Sequence, residues 1–392
     1  MSAPEVTARR GGSFLGFDTG AAGWVLAVVG AVACVVAGLL SHADARAAAS
    51  QVWSPFVLVT GLLLVGLVAD QDGLFAAAGH RLATAAPNGV ALFGGAAAAI
   101  AVVTALLNLD TSVVFLTPVL VHAARSRGEG EAPLLIGCLL LSNAGSLLLP
   151  GSNLTNLIVL GHIRLTGAQF FGHMALPWIT SVVVTAVVIG LFERRSLRTS
   201  RRSSEPPATV TMDLGVVAVF GATTLVLVLR APALPVLGVG LLVVAVRLVA
   251  RRAQLNRVRE ALGIPVLIGL FGIAVALGTL GRAWSGPEAL LSHLDPVGTA
   301  VGAAGASVFF NNLPAAALLA SRVPPHPFAL LVGLNIGPNL FVTGSLAWIL
   351  WWRTARLSGS KPPVGRAIVI GLVTVPLAMA AALAMLEVTN SL

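Results

Sequence analysis

Charge is scarce in this chain. Only 10% of its 392 residues are Asp, Glu, Lys or Arg, against roughly 25% in an average soluble domain. Hydrophobic residues reach 57% and the mean hydropathy is +0.93, so a water-soluble fold is excluded and a polytopic membrane protein is indicated. Cysteine is nearly absent. Cys34 and Cys138 both sit inside apolar runs, so neither a disulfide framework nor a thiolate metal site is indicated, and both read as packing residues. His80, His122, His162, His173, His293 and His326 scatter near predicted membrane boundaries without His-x-x-x-His or Glu-x-x-His spacing, which argues against a metal centre. No glycine-rich phosphate loop occurs, and the many Gly and Ala residues suit close helix packing instead. No cofactor is called for.

A net charge of +9 raises the question of nucleic acid. Most basic residues, however, lie in short loops between apolar runs, where topology determinants belong, so no nucleic-acid partner is read and the bilayer itself is the first partner. Arg9 and Arg10 precede an apolar run from Ala21 and imitate a signal peptide, but many spans follow and no clear cleavage site does. The run is read as a first transmembrane helix.

Apolar stretches able to cross roughly 30 Å of hydrocarbon fall at 21–40, 52–70, 134–160, 173–192, 213–230, 234–250, 264–281, 327–352 and 366–387. That gives an all-α membrane protein with about nine full spans. Residues 91–124 and 297–321 differ: each holds an apolar run, a polar tip (Asn108 to Asp110, or Asn311-Asn312) and a second short run. Each half is short for a crossing, so both are read as re-entrant helical hairpins. Two spans, 134–160 and 327–352, are interrupted by Ser142-Asn143-Ala144-Gly145 and by Asn335-Ile336-Gly337-Pro338-Asn339. Unwound backbone at membrane depth is tolerated only where protein or a water-filled cavity satisfies it, and paired breaks mark a midplane solute site.

With the N-terminus cytoplasmic and each hairpin returning to its own side, all 24 basic residues except Arg46, Arg164, Arg230, Arg282 and Arg322 fall in cytoplasmic loops. The positive-inside rule is met, and the C-terminus is placed outside. The basic, Pro-ended stretch beginning Glu193-Arg194-Arg195 divides the chain into 1–192 and 213–392, with 193–212 as a cytoplasmic linker. Asn143, Gly145, Leu154, Arg164, Leu165 and Gly167 recur 192 residues later as Asn335, Gly337, Leu346, Arg356, Leu357 and Gly359. The two parts are therefore read as inverted repeats, the first truncated at its start.

Asn108-Leu109-Asp110-Thr111-Ser112 with Leu116-Thr117-Pro118, Asn311-Asn312-Leu313-Pro314, Gly337-Pro338, and the stretch from Gly344-Ser345-Leu346-Ala347 to Trp351 resemble the signatures of arsenite-efflux permeases of the ArsB type. These belong to an ion transporter superfamily that also holds sodium/dicarboxylate symporters and NhaD-type sodium/proton antiporters. The resemblance implies a scaffold domain and a transport domain, the latter carrying both hairpins and both broken helices, moving against each other.

Asp110 is the only acidic residue in a predicted membrane-embedded break, and a buried carboxylate is costly enough to be a functional candidate by default. Protonation would remove that cost and open a route to proton coupling. Alternatively, Asp110 caps the second hairpin helix by accepting from amides near Ser112 or Val113. Around it, Asn108, Thr111, Asn143, Ser152, Asn153 and Asn156 from one half, and Asn311, Asn312, Asn335, Asn339, Thr343 and Ser345 from the other, could offer donors and acceptors to a solute. They could equally satisfy one another's broken backbone. Asp70 and Asp72 read as solvated at a span end, and Trp348, Trp351 and Trp352 as an interfacial belt.

The expected activity is secondary permeation of a small solute coupled to a proton or sodium ion, with arsenite or antimonite efflux leading. A citrate or dicarboxylate symporter and a sodium/proton antiporter are the alternatives. A polytopic membrane enzyme using Asp110 or Ser112 would need a paired histidine, and none is predicted at that depth. Among proteins, a second copy of the chain or an energising ATPase subunit remain open as partners.

Overall fold

In hydrocarbon, backbone amides must bond within their own segment, and helices do this most simply. The computed structural model describes residues 13–14, 17–161, 163, 165–198, 213–229, 231–250 and 254–389. Apart from a two-residue ladder pairing Ser13–Phe14 with Phe17–Asp18, its described elements are helical. They are α1 (Thr19–Leu40), α2 (His42–Gln71), α3 (Leu74–Ala85), α4 (Gly89–Leu106), α5 (Leu109–Ser126), α6 (Ala132–Gly145), α7 (Leu154–Leu160), α8 (Gly167–Phe192) and α9 (Arg194–Arg198). There follow α10 (Leu214–Val228), α11 (Ala233–Val249), α12 (Leu255–Leu262), α13 (Ile264–Ala283), α14 (Gly286–Ser292), α15 (Pro296–Phe310), α16 (Asn312–Leu319), α17 (Pro327–Ile336), α18 (Leu346–Leu357) and α19 (Val364–Val388). Six helical stretches among the described residues have the length and apolarity to cross a membrane. Residues 199–212 of the basic linker, together with Arg9, Arg10, Arg164, Arg230, Arg251, Arg252 and His162, lie outside the described residues.

Helices α1, α2, α10, α11 and α13 form one packed group, with α1 along α13 and α2 against α10, α11 and α13. Small residues allow the closest of these approaches: a Cβ at Gly30 would come within 2.1 Å of the Gly269 carbonyl, so α1 and α13 can touch there only as glycine on glycine. A second group holds both interrupted elements. Here α4 packs on α6, α8 on α19 and α15 on α17, and the two groups meet where α13 crosses α16 and α2 crosses α5.

Three local expectations change. The halves of the first hairpin are not short: α4 and α5 run 18 residues each, about 27 Å apiece, whereas α15 and α16 have 15 and 8. Gly and Ala dominate α4, and nothing in the run breaks a helix before Leu107. Asp72 is not solvated. Its buried carboxylate pairs with Arg247 of α11 and accepts from the Gly215 amide at 2.7 Å, and Asp213 reaches the same guanidinium at 2.9 Å, so this cluster ties α2, α10 and α11 together. The tryptophans Trp348 and Trp351 are also core residues, both fully buried and edge to face at 5.9 Å. Trp348 Nε1 finds its acceptor in the Pro338 carbonyl at 2.9 Å, which frees the indole from any need for an interface.

Candidate functional site

Two breaks lie at hairpin tips. Asn108 (φ 150, ψ 172) and Asn311 (φ 75, ψ 146) are the two non-glycine residues with positive φ among the described residues. That backbone region is ordinarily left to glycine, and residues held in it cluster at functional sites. Asparagine is used for its side chain: Asn108 Oδ1 accepts from the Thr111 amide at 2.8 Å, and Asn311 Oδ1 accepts from the Leu313 amide at 3.4 Å while its Nδ2 donates to the Thr343 carbonyl at 3.1 Å. Asn108 therefore caps α5. Asp110, the alternative cap, sits inside the first turn and makes no hydrogen bond or ion pair with any described residue.

The other two breaks interrupt spans. Between α6 and α7 the chain runs through a 3-10 turn, Pro150–Ser152, and between α17 and α18 through another, Gly337–Leu340. Their loose carbonyls have identifiable partners. Asn156 Nδ2 donates to the Ser146 and Leu149 carbonyls at 2.9 and 3.1 Å, Ser152 Oγ donates to the same pair, Asn339 Nδ2 donates to Leu140 at 2.9 Å and Trp178 Nε1 to Gly145 at 2.9 Å. The two breaks are also bonded to each other. Asn143 Nδ2 donates to Asn339 Oδ1 at 2.9 Å, Asn153 Nδ2 and Ser146 Oγ both donate to Asn335 Oδ1 at 2.6 Å, and Asn335 Nδ2 donates to Asn156 Oδ1 at 2.9 Å. Asn143, Asn156, Asn335 and Asn339 are fully buried in this lattice.

A narrow cleft of about 20 Å³, room for little more than one water molecule, opens between the tips. One wall comes from α5, α7, α16 and α18 and their approaches: Leu109, Asp110, Asn153, Leu154, Asn311, Asn312, Leu313, Pro314 and Leu346. The other comes from α2 and α13: Pro55, Phe56 and Leu270. Of the thirteen residues anticipated for solute contact, the cleft brings together Asp110, Asn153, Asn311 and Asn312. Asn153 and Asn311 already spend hydrogen bonds on protein. Asp110 and the Asn312 side chain spend none with described residues, and each comes from a different hairpin. The remaining nine lie elsewhere. Asn108 caps α5; Asn143, Ser152, Asn156, Asn335 and Asn339 hold the breaks; Thr343 Oγ1 donates to Val308; Thr111 and Ser345 keep buried hydroxyls without partners. Among the described residues, no basic one lines the cleft.

Sequence reading missed the apolar wall. Pro55 carried the one usable signal, a proline in the middle of a long apolar run, where it removes a helix hydrogen bond. Phe56 and Leu270 carried none, because a residue facing a cleft and a residue facing lipid look alike in an apolar helix.

The family model described as citrate transporter matches residues 21–333. The chain belongs to the citrate transporter family. It is similar to the arsenical pump membrane protein of Escherichia coli, with 25% identity over 363 residues and 84% of each chain covered. It is also similar to the inner membrane protein YbiR of Escherichia coli strain K12, with 28% identity over 318 residues covering 77% of this chain and 82% of that one. The YdaH transporter of Alcanivorax borkumensis, whose crystal structure has an unusual topology, covers 88% of this chain and 87% of its own at 16% identity and a TM-score of 0.48, a likeness too distant to carry argument. As a member of the citrate transporter family, the protein is a multi-pass membrane transporter and not an enzyme.

Proposed function

We propose that this protein is a secondary permease that moves an uncharged inorganic hydroxide, arsenite or antimonite, out of the cell in exchange for protons, by alternating access at the cleft between the hairpin tips. One observation carries the reading. The cleft offers a carboxylate (Asp110) and a carboxamide (Asn312), both uncommitted, and no cation. A trihydroxide supplies the hydroxyl donors and acceptors that this pair can use, and Asp110 can take up or release a proton in each cycle because an unpaired intramembrane carboxylate is costly while charged. The names of several relatives point the same way. The helices bearing breaks and tips act as the moving part, and α1, α2, α10, α11 and α13 as the fixed part. The matched breaks support an inverted-repeat ancestry.

A proton- or sodium-coupled citrate or dicarboxylate symporter is the second reading, favoured by the description of the family itself. It needs positive charge or a bound cation opposite the carboxylates, because an ionised group taken from water without a partner pays a large desolvation cost. Among the described residues, the cleft supplies no such side chain. Inside-out vesicles holding the purified protein separate the readings when challenged with arsenite, antimonite, citrate, succinate and sodium under imposed proton or sodium gradients. The proposal expects proton-driven arsenite or antimonite accumulation and no citrate or succinate movement; the reverse pattern establishes the symporter.

A further inference from the structure

The two walls of the cleft differ in chemistry. Every polar lining residue belongs to the elements that start at a break, whereas α2 and α13 present only Pro55, Phe56 and Leu270. Among the described residues, Phe56 is the one aromatic in the lining. It is 9% exposed, and its ring meets Phe271 of α13 edge on, at 5.5 Å and 85°. Two helices of the fixed group thus hold one ring in the same cleft lining as Asp110 and Asn312. Such a ring cannot swing aside without opening its contact to Phe271, and packed side chains resist such displacement.

We infer that Phe56 is the specificity-determining residue of this site, limiting both the size and the charge of the solute; the inference rests on the reading of the cleft given above. A cleft this narrow favours a small uncharged hydroxide over any bulkier solute. A hydrocarbon substituent on the same centre meets the ring before the hydroxyls reach Asp110 and Asn312. A carboxylate in that position is stripped of water against an aromatic face and gains no hydrogen bond in return. Shortening Phe56 therefore widens the substrate range in one direction only. Neutral hydroxides carrying a hydrocarbon group are admitted, and carboxylates are still refused because no cation has been added.

The test uses inverted vesicles with wild-type protein, Phe56→Ala and Phe56→Leu, and three probes: arsenite, phenylarsonous acid and citrate. Phenylarsonous acid should accumulate about tenfold faster in the Ala variant than in wild type, with Leu between them, and the ratio of phenylarsonous acid to arsenite transport should rise in the same order, as expected when one apolar contact sets discrimination. Citrate should move in none. Phe56→Leu keeps most of the buried ring's volume and guards against loss of fold in the Ala variant. A fall in arsenite Vmax in both variants with no gain of the phenyl compound overturns the assignment, as does equal transport of that compound by wild type. Absence of arsenite transport by the wild type removes the parent reading along with it, and is told apart from the first failure by that arm alone.

Discussion

Asn153 and Asn335 are 182 residues apart in sequence and 2.6 Å apart at their side-chain amides. Through this bond, and through Asn143 to Asn339, the two interrupted spans are fastened to each other before any solute arrives. The amides of Asn143, Asn153, Asn156, Asn335 and Asn339 thus satisfy one another and the broken backbone.

Asn335→Ala should therefore act on stability ahead of affinity. It removes one bond each from Ser146, Asn153 and Asn156 and leaves Asn156 Oδ1 unmatched, and unmatched buried groups cost about 1 to 3 kcal/mol in soluble proteins, with membrane interiors toward the lower end. The expected outcome is a lowered unfolding midpoint in detergent for Asn335→Ala and for Asn143→Ala. Solute affinity measured on the folded fraction should change little. A variant with wild-type stability and lost affinity would return these residues to the solute site.

The tips follow a different rule. Asn108 and Asn311 adopt backbone angles suited to glycine while their side chains serve the helix that follows. Alanine at either position keeps the strain and loses the cap, for a cost of about 1 to 3 kcal/mol. Glycine loses the cap and relieves the strain, so Asn108→Gly and Asn311→Gly should be clearly more stable than their alanine counterparts. Thermal unfolding of the four variants checks the order.

Much of this was legible in the sequence, and the reason is chemical. Asn108-Leu109-Asp110 and Asn311-Asn312 stand out because amides and carboxylates are rare in apolar runs, and the recurrence of Asn143 as Asn335 fixed where the spans break. The division of labour among those amides was not legible. Whether Asn153 faces a solute or Asn335 depends on how two distant segments cross, and one side chain can serve either end with the same composition. Asp72 was misread for a similar cause: a carboxylate at a span end is solvated unless an arginine from another helix reaches it, and Arg247 lies 175 residues away.

Burial raises Glu193, in the turn between α8 and α9, above the ordinary carboxylate range, and the charge of Arg366 partly offsets this. Arg366 Nε lies 2.6 Å from Glu193 Oε1. A carboxylate whose folded-state pKa is raised favours the folded state most in acid, and that contribution is lost as pH rises above the unfolded value. Arg366→Gln strips the ionised form of its partner and leaves the protonated form almost untouched. The variant should lose stability near pH 7 and recover toward wild type near pH 5; unfolding midpoints across that range decide it, and a loss independent of pH would mean that the pair does not act through charge.

Asp110→Asn should abolish proton-driven transport while expression and thermal stability stay close to wild type. The substitution removes a charge that is costly to bury and keeps hydrogen-bonding capacity. Gradient-driven uptake in vesicles, compared with solute exchange in the absence of a gradient, separates lost coupling from lost binding. Unchanged gradient-driven uptake would strip Asp110 of its part.

The most direct test of a single solute site between the hairpins is a double-mutant cycle on antimonite affinity in purified protein, using Asp110→Asn and Asn312→Ala. Residues that share one ligand couple, by about 0.5 to 3 kcal/mol, whereas independent sites add. Each single variant should weaken binding, and the double variant should fall short of, or exceed, the sum of the two by an amount in that range. Strictly additive losses, or a loss from only one variant, would contradict a common centre in the cleft.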